Sequence, residues 1–234
     1  MPTIRDWLGY RREFVRFSAL AAAAQRELPR WTERFPCLGD KGAGFDRHYI
    51  YHTSWAARIL AHTRPEEHVD ISSSLYFVGL VSAFVPMRHY DYRPADLRLG
   101  NLTTGFVDLL NLAFEDNSIL SLSCMHVVEH VGLGRYGDPL DANGDLKAMA
   151  QLKRVLSPGG HLLFVAPVGR SRVCFNAHRI YSYDQVCKGF AGLKLQQFRL
   201  VPDNPKDGGL IEAAPDAVAA QSYACGCFLF CKDA

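Results

Sequence analysis

Between residues 1 and about 64 the apolar positions recur at helical intervals. Trp7, Leu8, Phe14, Val15, Phe17 and Leu20 form an uneven stripe before a glycine-rich break at Gly39–Gly44, and Ser54 to Ala61 predicts a second helix. After Arg64-Pro65 the spacing changes to short apolar runs separated by helical stretches. Glu67–Ile71 predicts a first strand, Ser74–Phe84 a helix, and Val85–Asp91 a second strand that ends in an acid. Phe106–Asp108 predicts a fainter third strand and Ser118–Ser123 a fourth, which runs on into His126, Glu129 and His130. Asp145–Leu156 carries Leu146, Met149, Leu152, Val155 and Leu156 on one side, and Ser157-Pro-Gly-Gly160 supplies its stop signal. His161–Ala166 is apolar almost without a break, as expected of a strand buried on both faces. Leu193–Val201 and Ala224–Lys232 predict two final strands, joined by a polar loop from Pro202 to Pro215.

Strands alternating with helices imply right-handed crossovers and a parallel sheet. The expected fold is α/β: a doubly wound, Rossmann-like, seven-stranded sheet, mostly parallel with a C-terminal antiparallel hairpin. Residues 1–64 would form an N-terminal helical cap and 65–234 the Rossmann-like domain.

Composition narrows the function classes. The 234 residues suffice for one substantial domain with an appendage; 48% are apolar and 21% charged, which argues against disorder. A net charge of +2 gives no reason to expect nucleic acid. Arg5, Arg11, Arg12, Arg16, Arg26, Arg30 and Arg34 are interrupted by Asp6, Glu13, Glu27 and Glu33, as on a solvated helix face. Phe17–Ala24 is too short to span a bilayer and lacks a signal-peptide cleavage pattern, so no integral membrane segment and a cytoplasmic location are expected. The seven cysteines lie mostly in apolar runs and read as free thiols. Cys225, Cys227 and Cys231 share one face of a strand, which favours packing over zinc, and no metal is expected. The pattern sets no oligomeric state.

The candidate chemistry gathers where strands end. In open α/β sheets ligands bind beyond the strand carboxyl ends. Asp70 ends the first strand and Asp91, followed by Tyr92, ends the second twenty-one residues later, the spacing of a nucleotide-binding βαβ unit whose second acid holds ribose hydroxyls. Ser72, Ser73 and Ser74 stand where a glycine-rich loop would normally let a ligand approach the backbone. His126-Val-Val-Glu-His130 matches the H-x-x-E-H pattern of inverted zinc peptidases, but it opens directly from a strand. His126, Glu129, His130 and His178 are therefore read as acid/base candidates. Arg135, Tyr136 and Asp138 on a glycine-hinged loop, with Asn176 and Arg179 from a later segment, would form a basic, hydrogen-bonding rim for a hydroxylated or anionic acceptor.

These residues resemble the class I S-adenosylmethionine-dependent methyltransferase superfamily over roughly 66–234. Val69-Asp-Ile71 looks like its first motif, Asp91 like its ribose-binding acid, and Asp108-Leu109 like its adenine-contacting step. Val127–Val131 and Leu152–Phe164 look like its fourth- and fifth-strand signatures. More narrowly, His126–Asp138 with Phe175–Tyr181 is similar to a bacterial and nematode family of unknown function whose members accompany surface-polysaccharide genes. The resemblance implies S-adenosylmethionine as cofactor, held by Asp70, Ser72, Ser73, Asp91, Tyr92, Asp108 and Leu109, and an O-methyltransferase acting on a sugar or glycan precursor. Two other classes stay open: a methyltransferase-like binding or scaffold protein without cofactor, and a metal-dependent hydrolase built on the H-x-x-E-H segment.

Overall fold

The computed structural model describes residues 3–25 and 44–233. Arg26, Arg30 and Arg34, with Glu27 and Glu33 between them, lie outside the described residues, as does the predicted glycine-rich break up to Gly44. The chain forms two compact units, Met1–Phe45 and Asp46–Ala234. The first contains α1 (Ile4–Ala23), whose start is fixed by a capping box: the Thr3 hydroxyl accepts the Asp6 amide and the Asp6 carboxylate accepts the Thr3 amide.

The second unit opens with α2 (Arg47–Thr63), β1 (His68–Ile71), α3 (Leu75–Val81), β2 (Met87–Asp91), β3 (Leu102–Phe106) and β4 (Ile119–Met125). It continues through α4 (Gly144–Val155), β5 (Leu156–Val168), β6 (Arg172–Cys174), β7 (His178–Ile180) and α5 (Tyr183–Gly189). It ends with β8 (Lys194–Val201), β9 (Ile211–Glu212), α6 (Pro215–Ala219) and β10 (Ala224–Cys231). The main sheet has the order β3-β2-β1-β4-β5-β10-β8-β9. Its first five strands are parallel, while β10 runs antiparallel to both β5 and β8. The expected Rossmann-like sheet with a C-terminal antiparallel part is present, and the two-residue β9 makes an eighth strand at the edge. β6 and β7 pair separately.

The third strand lies earlier than its predicted place. Thr103 and Thr104 pair with Arg88 and His89, and Gly105 leaves room for the Tyr90 ring, which a Cβ at that position would meet at 2.9 Å. The chain then turns at Asp108, whose Oδ1 accepts the Leu110 amide at 2.9 Å. The second helix starts earlier than predicted because Asp46 caps it, accepting the Tyr49 amide. Its buried stripe is His52, Trp55, Ala56 and Leu60, so a histidine fills one of the inward positions and masks the apolar period.

Both faces of the sheet are covered. On one, Trp55 and Leu60 of α2 and Phe77 and Val81 of α3 pack on Met125, Val165 and Cys227. On the other, Met149 and Leu152 of α4 and Phe190 after α5 pack on Leu122, Phe164 and Phe228. Each such side chain taken out of water contributes about 1.5–3 kcal/mol, which makes β4 and β5 the rigid floor beneath the strand ends. Among the described residues no helix is long and apolar enough to cross a membrane.

Candidate functional site

At the end of β1 the chain turns through Ser72, whose φ of +58° is the left-handed region that favours glycine. The turn is held by its amide on the Tyr90 carbonyl at 2.8 Å. The Ser73 amide donates to Asp70 Oδ1 at 3.0 Å, and its hydroxyl accepts the Met125 amide at 3.1 Å, which ties β1 to β4. Asp70 is fully buried and also accepts from His89 Nδ1 at 2.9 Å and from the Ser123 hydroxyl. Burial pushes its proton affinity up, but these hydrogen bonds and the His89 charge outweigh it and hold the carboxyl below its usual range. Asp70 thus anchors an interior network rather than facing a ligand.

Asp91 stands at the end of β2, half-buried, with Oδ1 accepting the Arg93 amide at 2.7 Å. It lines a cleft of about 380 Å³ with Ser73, Leu75, His89, Arg93 and Ala95. Exposed Tyr92 packs on Phe106 at 5.6 Å between ring centroids. Asp108 is half-buried just past β3, whereas Leu109 packs into the core. A larger cavity of about 870 Å³, lined by Glu67, Arg88, Ser118 and His161 among others, lies where the parallel strands begin, the edge opposite to the one where such sheets bind ligands.

Beside the cleft a second group of side chains converges. His126 ends β4 with φ of +58°, and Val128–His130 forms a single 3-10 turn, so the H-x-x-E-H segment is not the helix a zinc peptidase requires. His126 Nδ1 lies 2.9 Å from Glu129 Oε1, and His130 Nε2 lies 3.8 Å from the same oxygen. α2 adds His48, Tyr49 and His52. The His48 ring stacks on His126 at 5.3 Å and on Tyr223 at 5.1 Å, and His178 of β7 continues the column at 4.9 Å from Tyr223. Three atoms of this group, His52 Nε2, His126 Nε2 and Glu129 Oε2, are buried without a hydrogen-bond partner among the described residues. An unsatisfied buried polar atom costs about 1–3 kcal/mol, so three neighbouring ones mark a place kept for something other than stability.

Burial sets the electrostatics. It lowers His48 and His126 to about 4 and His52 to about 3, leaving these rings neutral at neutral pH. It also lowers His130 and His178. The same burial raises Glu129 to about 7, against the opposing pull of the nearby histidines.

The rim follows. Arg135 and His130 Nδ1 both donate to the Ala177 carbonyl, at 2.9 and 2.6 Å, which joins the two segments expected to meet. The Arg93 and Arg135 guanidiniums both lie against the Tyr136 ring, at 5.1 and 5.3 Å, and Arg93 also lines the Asp91 cleft. Asn176 is exposed. Two expected rim residues serve the scaffold instead. Asp138 accepts the amides of Gly132, Tyr136 and Gly134 and folds its own loop. Arg179 is 6% exposed, donates to the carbonyls of Val131, Asp141 and Ala142, and pairs with Asp145 at 3.5 Å.

Of the residues named from sequence, the fold brings His126, Glu129, His130, His178, Arg135 and Tyr136 together, with Ser73, Asp91, Tyr92 and Asp108 at the neighbouring strand ends. Asp70, Leu109 and Arg179 turn inward, and Asp138 is taken up by its own loop. Sequence reasoning missed His48, Tyr49, His52, Tyr223 and Cys225. The histidines four apart, His48 and His52, carried a usable signal because i and i+4 share a helix face. Tyr223 and Cys225 carried none, since only the insertion of β10 beside β5 places them here.

Residues 113–198, from the approach to β4 through most of β8, match the model of a family described as Caenorhabditis protein of unknown function, DUF268. The match covers residues 113–198 alone. Among similar solved structures is the N-methyltransferase NodS from Bradyrhizobium japonicum in complex with S-adenosylhomocysteine: 14% identity, 82% of this chain and 88% of that one, TM-score 0.55. Another is the 1,6-didemethyltoxoflavin-N1-methyltransferase of Burkholderia thailandensis with S-adenosylhomocysteine bound: 10% identity, 78% and 79% coverage, TM-score 0.56. A TehB-like methyltransferase from Corynebacterium glutamicum matches over 96% of this chain and 99% of its own at 14% identity, TM-score 0.51. At these identities the likeness establishes the fold alone. Comparison with curated proteins gives no match.

Proposed function

We propose that the protein is an S-adenosylmethionine-dependent O-methyltransferase acting on a sugar or glycan precursor. The observation that carries this reading is that Asp91 lines a ligand-sized cleft at the end of β2, while Ser73 of the same cleft bonds the end of β4, from which an enclosed carboxyl–imidazole group with unpaired acceptor atoms follows. The residues present suit the cofactor. Asp91 offers a carboxylate oxygen to ribose hydroxyls, Tyr92 an exposed ring, and Asp108 a second acid at the end of β3. Ser72 already adopts the left-handed backbone that glycine would otherwise supply. When bound, S-adenosylmethionine supplies a sulfonium methyl group that an acceptor oxygen attacks in line.

The chain's part is to align the acceptor and take its proton. Glu129 is the proposed base. Its proton affinity near 7 matches the task, whereas the rings of His126, His48 and His52 are much weaker bases. An acceptor hydroxyl would supply the hydrogen bond that Oε2 lacks. His126 positions the carboxylate through Oε1, and His130 and His178 border the entrance. Arg135 and Arg172, whose charges both lower His178, suit a phosphorylated or carboxylated sugar.

The test is transfer of labelled methyl from S-adenosylmethionine to nucleotide sugars and oligosaccharides. The expected result is a methyl ether on an acceptor hydroxyl, lost in Glu129→Gln. Cofactor binding without transfer to any hydroxylated acceptor would refute the glycan reading. No cofactor binding would refute methyl transfer and favour the scaffold alternative.

A further inference from the structure

We propose that His48, His126 and Cys225 form a binding site for a zinc-class divalent metal ion, a site that stands on the spacing of their ligand atoms and is independent of methyl transfer. Ligand atoms of these three side chains lie within 4.8 Å of one another. A tetrahedral zinc site, with bonds of about 2.0–2.3 Å, separates its donors by about 3.3–3.6 Å, so side-chain adjustment of roughly 1 Å closes the set.

Independent observations point to the same place. His126 Nε2 is buried with no partner, and so is His52 Nε2, whose ring lies 5.0 Å from that of His126. Each ring's other nitrogen is already engaged: His52 Nδ1 lies 2.7 Å from the His48 carbonyl and therefore donates to it, and His126 Nδ1 lies 2.9 Å from Glu129 Oε1. Those hydrogen bonds fix the tautomers that leave both Nε2 lone pairs free, the arrangement that metal-bound histidines almost always show. His48 and His52 sit one helical turn apart on α2, which puts the His52 ring against the set without making it one of the three donors. Two imidazole nitrogens with one thiolate select zinc or cobalt over magnesium or calcium. Cys227 and Cys231 take no part. The ion would join α2, the end of β4 and β10 at one point, replace the Cys225 thiol proton, and satisfy polar atoms that otherwise remain unpaired.

The test uses the purified full chain without S-adenosylmethionine. Elemental analysis should find close to one zinc per chain, or zinc titration should restore it after chelation. Zinc X-ray absorption should show a sulfur ligand at about 2.3 Å. Cobalt substitution should give tetrahedral d–d bands with a thiolate charge-transfer band that Cys225→Ser abolishes, and His48→Ala should weaken zinc affinity at least tenfold. The proposal is overturned by substoichiometric metal after zinc titration, by an absorption spectrum with no sulfur ligand, or by the same cobalt spectrum in Cys225→Ser. Calorimetry with S-adenosylhomocysteine on the same sample separates the two readings, because metal bound without cofactor affinity sinks methyl transfer alone.

Discussion

A carboxyl group enclosed among neutral imidazoles holds its proton to higher pH than an exposed one, and burial carries Glu129 to about 7. If it is the base, its deprotonated form is the active one. Turnover should then rise with pH through about 7 and level off above it. Glu129→Gln keeps the shape but cannot take a proton; it should remove that rising limb and lower kcat by about 10²–10⁴, read from the pH–rate profile. An unchanged limb would move the base elsewhere. Ser72 carries a second prediction. A left-handed conformation costs a residue with a Cβ about 1–2 kcal/mol, and most for a β-branched one. Ser72→Val should therefore lower unfolding stability by about that amount, while Ser72→Gly should hold it and keep S-adenosylhomocysteine affinity. Loss of affinity in Ser72→Gly would mean that the hydroxyl itself contacts the cofactor.

The elements that deliver the site differ in how plainly the chain announces them. β4 and β5 were legible because continuous apolar runs ending in titratable side chains have few other uses, and Asp91 was legible because its spacing from Asp70 follows from the length of a βαβ unit. β3 was misplaced, since Leu102–Phe106 is amphipathic and its pairing depends on the Tyr90 ring fitting over Gly105. The imidazole–carboxyl group was only partly legible. His126, Glu129 and His130 lie in one run, but α2 and β10 reach the same point through tertiary packing that no local pattern records. Arg179 and Arg135 look alike in sequence and part company in the fold. Arg179 clamps the carbonyls that follow the 3-10 turn and pairs with buried Asp145, so Arg179→Ala should cost about 3–5 kcal/mol in denaturant unfolding, with Lys a poor substitute for its fork. Arg135→Ala should leave stability nearly unchanged and impair turnover. Equal stability losses in the two variants would contradict this division of roles.

The molecule as a whole carries several histidines in neutral form. His48, His52, His68 and His126 are depressed to between about 3 and 4 by burial, so in the window from about 6.5 down to 4 the unfolded chain binds protons that the folded chain does not. Stability is therefore lost as pH falls through that window, by up to about 1.4 kcal/mol per pH unit for each fully buried ring. Glu129 and His89, both raised, act in the opposite direction but are fewer. The melting temperature should drop steadily from pH 7 to pH 5 at constant ionic strength; a flat profile would show that the histidine cluster is open to water. If the chain holds S-adenosylmethionine at the end of β2, as proposed, isothermal calorimetry with S-adenosylhomocysteine should find one site per chain, weakened about ten- to a hundredfold in Asp91→Ala by the loss of a charge-assisted hydrogen bond worth about 1.5–3 kcal/mol, with the fold intact. Absence of binding to the unaltered chain, or equal affinity in Asp91→Ala, would contradict it.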